Sequence, residues 1–106
     1  MRDIDCQKIT EAVSNLFQQA CVYLPEDVLS AIKRVRATEE SPLGKDVLDK
    51  ILENAEIAAE EEIPLCQDTG TAVVFLELGQ EVHITGGNLY SAINEGVRRG
   101  YEKGYL

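Results

Sequence analysis

A run of eight residues, from Pro64 to Thr71, concentrates side chains that could perform chemistry. It contains a thiol, an amide, a carboxylate and two hydroxyls, carried by Cys66, Gln67, Asp68, Thr69 and Thr71. A thiolate is a soft metal ligand, an amide both donates and accepts hydrogen bonds, and a carboxylate accepts protons. Gly70 permits a backbone bend that a Cβ atom would hinder. The run is therefore predicted to be a functional loop held by a rigid neighbouring element.

The element expected to hold this loop is a β-strand. An apolar run, from Ala72 to Leu76, follows the loop at once, and we predict a strand from Thr71 to Leu78. Gly79-Gln80 is a candidate turn, and a second strand is predicted from Glu81 to Thr85. Two strands separated by so short a turn indicate a β-hairpin or a small antiparallel sheet.

Three amphipathic helices are predicted before the loop. The first spans about residues 5 to 24, the second opens at Pro25, and the third opens at Ser41-Pro42 with Ser41 as its N-cap. The third helix ends before Pro64, since the residue preceding a proline avoids helical geometry. The predicted apolar stripe of the first helix consists of Ile9, Ala12, Val13, Leu16, Phe17 and Ala20.

A fourth helix is predicted after the sheet, with Asn88 as its N-cap. Gly96, Gly100 and Gly104 recur at four-residue spacing along it. Each glycine costs a helix about 1 kcal/mol relative to alanine, so close packing of another element against this face is expected. Together these elements predict an α+β fold: three N-terminal helices, a β-hairpin or small antiparallel sheet and one C-terminal helix.

Composition limits the classes of partner. The chain has 106 residues, 44% of them hydrophobic, and a net charge of −9. So acidic a chain would repel a phosphate backbone, which argues against nucleic-acid binding. No apolar stretch is long enough to span a membrane, and the charged N-terminus lacks the apolar core of a signal peptide. An anionic substrate would need positive charge from outside the chain, since the local candidates are only Arg98, Arg99 and Lys103.

The three cysteines indicate a reducing compartment, because an odd number without a secretory signal does not suggest a disulfide framework. A cytoplasmic location is therefore expected. Cys6 and Cys21 lie near or on apolar helix faces and are interpreted as structural. His83, the single histidine, is expected to be an exposed strand residue rather than a ligand or base.

The loop, and most of the chain around it, resembles the class I, iron–sulfur fumarate hydratases and their relatives, the L-tartrate dehydratases. The similarity covers the run from Pro64 to Thr71, the segment from Tyr23 to Val28 and the helix from Asn88 to Tyr101. The resemblance, with the abrupt end at Tyr105-Leu106, predicts that residues 1–106 are the N-terminal domain fragment of an alpha subunit. The rest of that subunit and a beta subunit or domain would then be partners in an oligomer.

The resemblance implies a 4Fe–4S cluster in the full enzyme. In that family three cysteines hold the cluster, and its open iron acts as a Lewis acid in the reversible hydration of fumarate to malate. Cys66 matches the first cluster ligand, whereas Cys6 and Cys21 match none. One thiolate cannot hold four irons, so the isolated fragment is expected to carry no cluster and to be inactive.

The resemblance also implies roles beside the cluster. Gln67 and Asp68 match positions that face the substrate, a four-carbon dicarboxylate, and Thr69 is a further candidate contact. Gln67 could bond a carboxylate or a hydroxyl. Asp68 could accept a proton or orient the base that does, and the two roles remain open. Tartrate dehydration is an alternative to fumarate hydration, since the selecting side chains are expected elsewhere.

Two other functional classes compete with this interpretation. Asp68-Thr69-Gly70 is also the signature of aspartic proteases, in which two chains each supply one carboxylate. Those enzymes resemble β-barrels, whereas this chain is mainly amphipathic helix, so we reject that interpretation. The second alternative is a non-catalytic helical interaction module, which would account for the missing catalytic parts.

Overall fold

Four helices and two short strands follow one another along the part of the chain that the computed structural model describes, residues 1–67 and 70–106. They are β1 (Arg2–Asp5), α1 (Cys6–Val22), α2 (Glu26–Thr38), α3 (Pro42–Glu61), β2 (Val82–Thr85) and α4 (Leu89–Gly104). This order confirms the predicted α+β fold, with three helices before the loop and one at the end.

The helix starts follow the capping residues in the sequence. The Ser41 hydroxyl accepts a hydrogen bond from the Gly44 N–H at 3.2 Å, and the Asn88 side chain accepts one from the Ser91 N–H at 3.1 Å. Both predicted N-caps are confirmed, because each side chain satisfies an N–H group that the first helical turn leaves without a partner. Pro25 is the N-cap of α2, which begins one residue later than predicted.

The predicted hairpin is wrong. β2 pairs with β1 in a parallel arrangement that sets Arg2 opposite Val82 and Asp5 opposite Thr85. Parallel strands need a long crossover, and here residues 6–81 lie between the two. The predicted strand from Thr71 to Leu78 is also wrong, since the described chain forms no strand there and its apolar side chains stay exposed. Phe75, for example, is 94% exposed.

Strand β1 was missed because its sequence carries little strand signal. Three of its four residues are charged, and only Ile4 is partly buried. The strand leads directly into α1, where the Asp5 carboxylate accepts a hydrogen bond from the Gln7 N–H at 2.8 Å. Asp5 therefore ends the strand and caps the helix, whereas the helical periodicity had placed Asp5 within the helix.

The described residues form two compact units, one of residues 1–18 and 67–106 and the other of residues 19–66. In the first unit the glycines of α4 lie against the early turns of α1. A Cβ atom on Gly96 would lie 2.6 Å from the Val13 Cβ and 2.7 Å from the Thr10 carbonyl oxygen. One on Gly100 would lie 2.9 Å from the Ser14 carbonyl oxygen. These distances confirm that the glycines permit close helix packing.

The buried face of α1 differs from its predicted stripe. Leu16, a predicted member, is 62% exposed, whereas Thr10 and Ser14 are only 4% and 3% exposed. The Thr10 hydroxyl donates to the Ala92 carbonyl at 2.9 Å, which satisfies a buried polar group. Thr10 and Ser14 lie on this face beside Val13, and their small side chains suit the close approach of the α4 glycines.

The second unit contains the end of α1, both middle helices and the exit from α3. On α3 the buried residues are Ala55 and Ala58, while Val47 and Ile51 from the predicted stripe are 48% and 42% exposed. The apolar stripe of α3 is thus wider than the face that α2 covers within this unit. Among the described helices, none has the combination of length and apolar character that crossing a bilayer requires.

Candidate functional site

The approach to the candidate loop starts where α3 ends. Glu62 adopts the left-handed conformation, with φ 53° and ψ 46°, and its N–H donates to the Ala58 carbonyl. The Ile63 N–H donates to the same carbonyl at 3.1 Å. This is how a helix is commonly terminated, and it turns the chain away from the axis of α3. Pro64 then prevents the helix from continuing.

Two further hydrogen bonds hold the chain up to Cys66. The Leu65 N–H donates to the Cys21 carbonyl at 2.8 Å, and the Cys66 N–H donates to the Asn54 side-chain oxygen at 3.0 Å. Pro64 has no N–H group, so every backbone donor from residue 62 to residue 66 has a partner. The backbone is therefore fixed as far as the residue that carries the thiol.

The side chain of Cys66 is exposed at the end of this fixed segment. Gln67, the next residue, is also exposed, as are Gly70 and Thr71. Asp68, a candidate catalytic residue, and Thr69, a candidate substrate contact, lie outside the described residues. The structure thus places Cys66 and Gln67 as solvent-accessible neighbours, and the roles of Cys66, Gln67, Asp68 and Thr69 stay predictions.

The other candidate ligands differ from Cys66 in exposure. Cys6 is buried at the start of α1, and Cys21 is partly buried near its end. His83 is an exposed residue of β2, as predicted. Among the residues described, no three histidine, cysteine, aspartate or glutamate side chains gather closely enough to hold a metal ion. Cys66 is therefore the exposed member of the three free thiols.

The arginines of α4 are already matched by carboxylates. Arg98 donates to both oxygens of Glu95, at 2.7 and 2.9 Å, and to Glu102 at 2.7 Å. Arg99 also donates to Glu95, at 3.0 Å. The hydrogen bonds from Arg98, and then those from Arg99, lower the pKa of Glu95 to about 2. This helix face is a local ion-pair network rather than a free positive surface.

A third arginine is paired within the unit of residues 19–66. Arg36 forms a bidentate ion pair with Asp49, with N–O distances of 2.7 and 3.1 Å. This contact raises the pKa of Arg36 and lowers that of Asp49, chiefly through the shared hydrogen bond.

A groove of about 500 Å³ in the same unit is lined mainly by aliphatic side chains, with Lys33 and Glu56 as its charged members. Opposite charges in an apolar groove do not form a dicarboxylate site.

Comparison with known proteins identifies the family. The model of the fumarate hydratase (Fumerase) family matches residues 10–106. The chain belongs to this family. A Methanocaldococcus jannaschii protein with the provisional name L(+)-tartrate dehydratase subunit alpha is 40% identical over 97 residues, which are 91% of this chain and 34% of the relative. The L(+)-tartrate dehydratase subunit alpha of Escherichia coli K12 is 29% identical over 99 residues, which are 93% of this chain and 32% of the relative.

The chain spans about a third of the length of these two relatives. Family membership, together with the helices described above, removes the aspartic protease alternative. One accessible thiol suits a single ligand of a shared iron–sulfur cluster, because such clusters are held by several thiolates.

Asn54, whose side chain anchors the Cys66 backbone, was not among the functional residues predicted from the sequence. The signal was present: asparagine is a weak helix former, and Asn54 lies in the interior of α3. A polar residue that disfavours its own helix indicates another use for its side chain. Here that use is a hydrogen bond to the loop.

Proposed function

We propose that residues 1–106 form the N-terminal part of the alpha subunit of a hydro-lyase that adds water to, and removes it from, a four-carbon dicarboxylate. The observation that carries the proposal is the exposed thiol of Cys66 at the end of a backbone segment whose N–H groups are all bonded. Family membership supports the reaction class, and the rest of the subunit would complete the active site.

Cys66 would hold one iron of a 4Fe–4S cluster whose other ligands come from the rest of the protein. When bound, such a cluster supplies Lewis-acid polarisation of the substrate hydroxyl. Cys66 is exposed and can reach a cluster shared with the rest of the protein, whereas Cys6 is buried. The segment before Cys66 enters the site with its backbone already ordered, which lowers the entropy lost on binding.

Gln67 and Asp68 would act on the substrate beside the cluster. The amide of Gln67 would donate to a substrate carboxylate or accept from its hydroxyl. Asp68 would either take the proton from the carbon next to the hydroxyl-bearing carbon or orient the group that takes it. The Thr69 hydroxyl would add a hydrogen bond to the substrate. These assignments follow the family resemblance of the loop.

The positive charge that holds the dicarboxylate would come from outside this chain. Arg98 and Arg99 are occupied by Glu95 and Glu102, which supports this part of the proposal. The relatives are named as alpha subunits, so a beta subunit or domain is the proposed partner in an oligomer. The free thiols favour a reducing compartment, and we assign the protein to the cytoplasm on that ground.

Two substrate pairs fit this reaction class. Fumarate and malate are favoured by the family model, whereas tartrate and oxaloacetate are favoured by the names of the similar relatives. Assays of the assembled protein with fumarate and with L-tartrate distinguish the two. A higher kcat/KM for one substrate assigns the enzyme to it.

The test of the cluster role compares two cysteine variants of the assembled protein after anaerobic reconstitution. Cys66→Ser should lose iron, inorganic sulfide, the visible absorption of the cluster and hydro-lyase activity, because serine is a poor replacement for a thiolate ligand. Cys21→Ser is the control, since its side chain changes while the carbonyl that accepts the Leu65 N–H remains. Cluster and activity should persist in that variant.

A Cys66→Ser protein with the full iron content and spectrum of the parent would contradict the proposal. If activity also persisted in Cys66→Ser and in Asp68→Asn, the interaction-module alternative would be favoured for this part of the protein. If neither substrate turned over in the parent with its cluster intact, the proposed reaction class would be wrong.

A further inference from the structure

The last hydrogen bond before the thiol differs in kind from those that precede it. The N–H groups of residues 62, 63 and 65 donate to backbone carbonyls. The Cys66 N–H instead donates to a side chain, the Asn54 Oδ1, at 3.0 Å. A point mutation leaves the carbonyl acceptors in place, but it can remove this one. The position of Cys66 therefore depends on the identity of one residue of α3.

Asn54 is placed where its helix gains little from it. It is partly buried in the interior of α3, beside the buried Ala55. Alanine would favour the helix at this position, because asparagine has a lower helix propensity. The helix thus keeps a residue that weakens it, and the hydrogen bond to Cys66 is the compensating contact that the structure shows.

We propose that Asn54 is a positioning residue, which holds the backbone of Cys66 so that the thiol meets the cluster in a fixed place. The inference rests on the proposed role of Cys66 as a cluster ligand. Without the Asn54 oxygen, the ordered segment ends one residue earlier, at the Leu65 N–H that the Cys21 carbonyl holds. The thiol-bearing residue would then move relative to α3. Partners that orient metal ligands typically change metal affinity by about 10- to 100-fold when they are removed.

The first measurement is hydrogen exchange of single backbone amides in the cluster-free, assembled protein. In Asn54→Ala the Cys66 amide should exchange about twofold to tenfold faster, the range expected when one hydrogen bond is lost. The Leu65 amide should keep the parent rate, since its acceptor is a backbone carbonyl. Asn54→Asp retains an acceptor oxygen and should keep the Cys66 amide protected. Glu53→Ala, a change of the exposed neighbour on α3, is the matched control and should leave both amides unchanged.

The second measurement is the rate at which the reconstituted cluster is lost to an iron chelator. Asn54→Ala should lose its cluster about tenfold faster than the parent or Glu53→Ala, although alanine strengthens α3. If Asn54 affected only the stability of the helix, Asn54→Ala would lose its cluster at the parent rate or more slowly. Circular dichroism of each variant verifies that the helices are retained.

The outcomes separate this inference from the proposed function. An unchanged Cys66 amide rate in Asn54→Ala would overturn the inference, as would faster exchange combined with the parent rate of cluster loss. In either case the cluster role of Cys66 is judged by Cys66→Ser alone. If Cys66→Ser retains its cluster, the proposed function fails and the positioning role fails with it. Faster exchange and faster loss in Asn54→Ala, with Asn54→Asp protected, support the inference.

Discussion

The contact of α4 with α1 in the first unit allows a substitution with a predictable sign. In Gly96→Ala the new Cβ atom would lie 2.6 Å from the Val13 Cβ and 2.7 Å from the Thr10 carbonyl oxygen. Both distances are shorter than a carbon atom tolerates, and neither neighbour is the flexible end of a long side chain. The two helices must therefore separate locally or distort.

The expected cost combines three effects. Forcing a methyl group into a packed interface costs about 1–3 kcal/mol. Helix separation would also strain the hydrogen bond from Thr10 to Ala92, which contributes about 0.5–1.5 kcal/mol. Against these, alanine favours the helix by about 1 kcal/mol over glycine. We expect Gly96→Ala to lower the free energy of unfolding by about 0.5–3.5 kcal/mol.

The assay is urea denaturation followed by far-ultraviolet circular dichroism, together with thermal melting. A loss of about 1 kcal/mol lowers the melting temperature of a domain this small by about 4–8 °C. Gly104→Ala is the control on the same helix. Its Cβ would meet Gln18 and Leu106 side-chain atoms at 3.1 Å or more, and these can move aside. That variant should be as stable as the parent or more stable.

The reasoning is refuted if Gly96→Ala proves at least as stable as the parent, with an unchanged denaturant dependence. The helix preference for alanine would then outweigh the contact, and the close approach of α4 to α1 would not exist in solution. A loss of equal size in Gly104→Ala would contradict it too, because that position lacks a rigid neighbour.

Two further predictions concern the end of α3 and the ion pairs of α4. Glu62→Gly should raise the free energy of unfolding by up to about 1 kcal/mol in thermal melts, because Glu62 has a positive φ of 53° that glycine adopts without strain. Glu62→Ala should give a smaller increase in the free energy of unfolding than Glu62→Gly. Glu95, whose pKa is lowered to about 2, should stabilise the fold fully above pH 4.5, its ordinary pKa, and progressively less as the pH falls toward 2. At low salt, the free energies of unfolding of the parent and of Glu95→Gln should therefore differ at pH 6 and converge near pH 2. A difference that does not change with pH would contradict the role of the ion pair with Arg98.

The sequence predicted the helices and their caps because the forces that start and stop helices are local. Ser41 and Asn88 each accept a hydrogen bond from an N–H three residues ahead, so the capping signal lies within a few residues of the helix start. The recurrence of Gly96 and Gly100 also indicated a close helix contact. It did not identify α1 as the partner, since the facing residues Thr10 and Ser14 are polar and resemble a solvent-exposed face.

The sheet, in contrast to the helices, depends on contacts between residues far apart in the sequence. The parallel pairing joins Arg2 to Val82 and Asp5 to Thr85, residues 80 positions apart, and no local pattern encodes a contact at that separation. The apolar run after the loop suggested a strand, yet the described chain supplies no neighbour with which it could pair. Strand propensity alone does not make a strand, because a strand is stabilised by its partner.

For the loop, the sequence determines the chemistry of the side chains, whereas the tertiary structure determines how the backbone is anchored. Its chemistry could be stated from the order of side chains in Cys66-Gln67-Asp68-Thr69, because the ability to bind metal or accept a proton belongs to the residue itself. The anchoring of Cys66 by Asn54 and of Leu65 by the Cys21 carbonyl arises only when the segment after α3 folds back on α3 and on the end of α1. Such contacts depend on the packing of the second unit as a whole. An asparagine inside α3 could indicate another use for its side chain, but it could not indicate Cys66 as the partner.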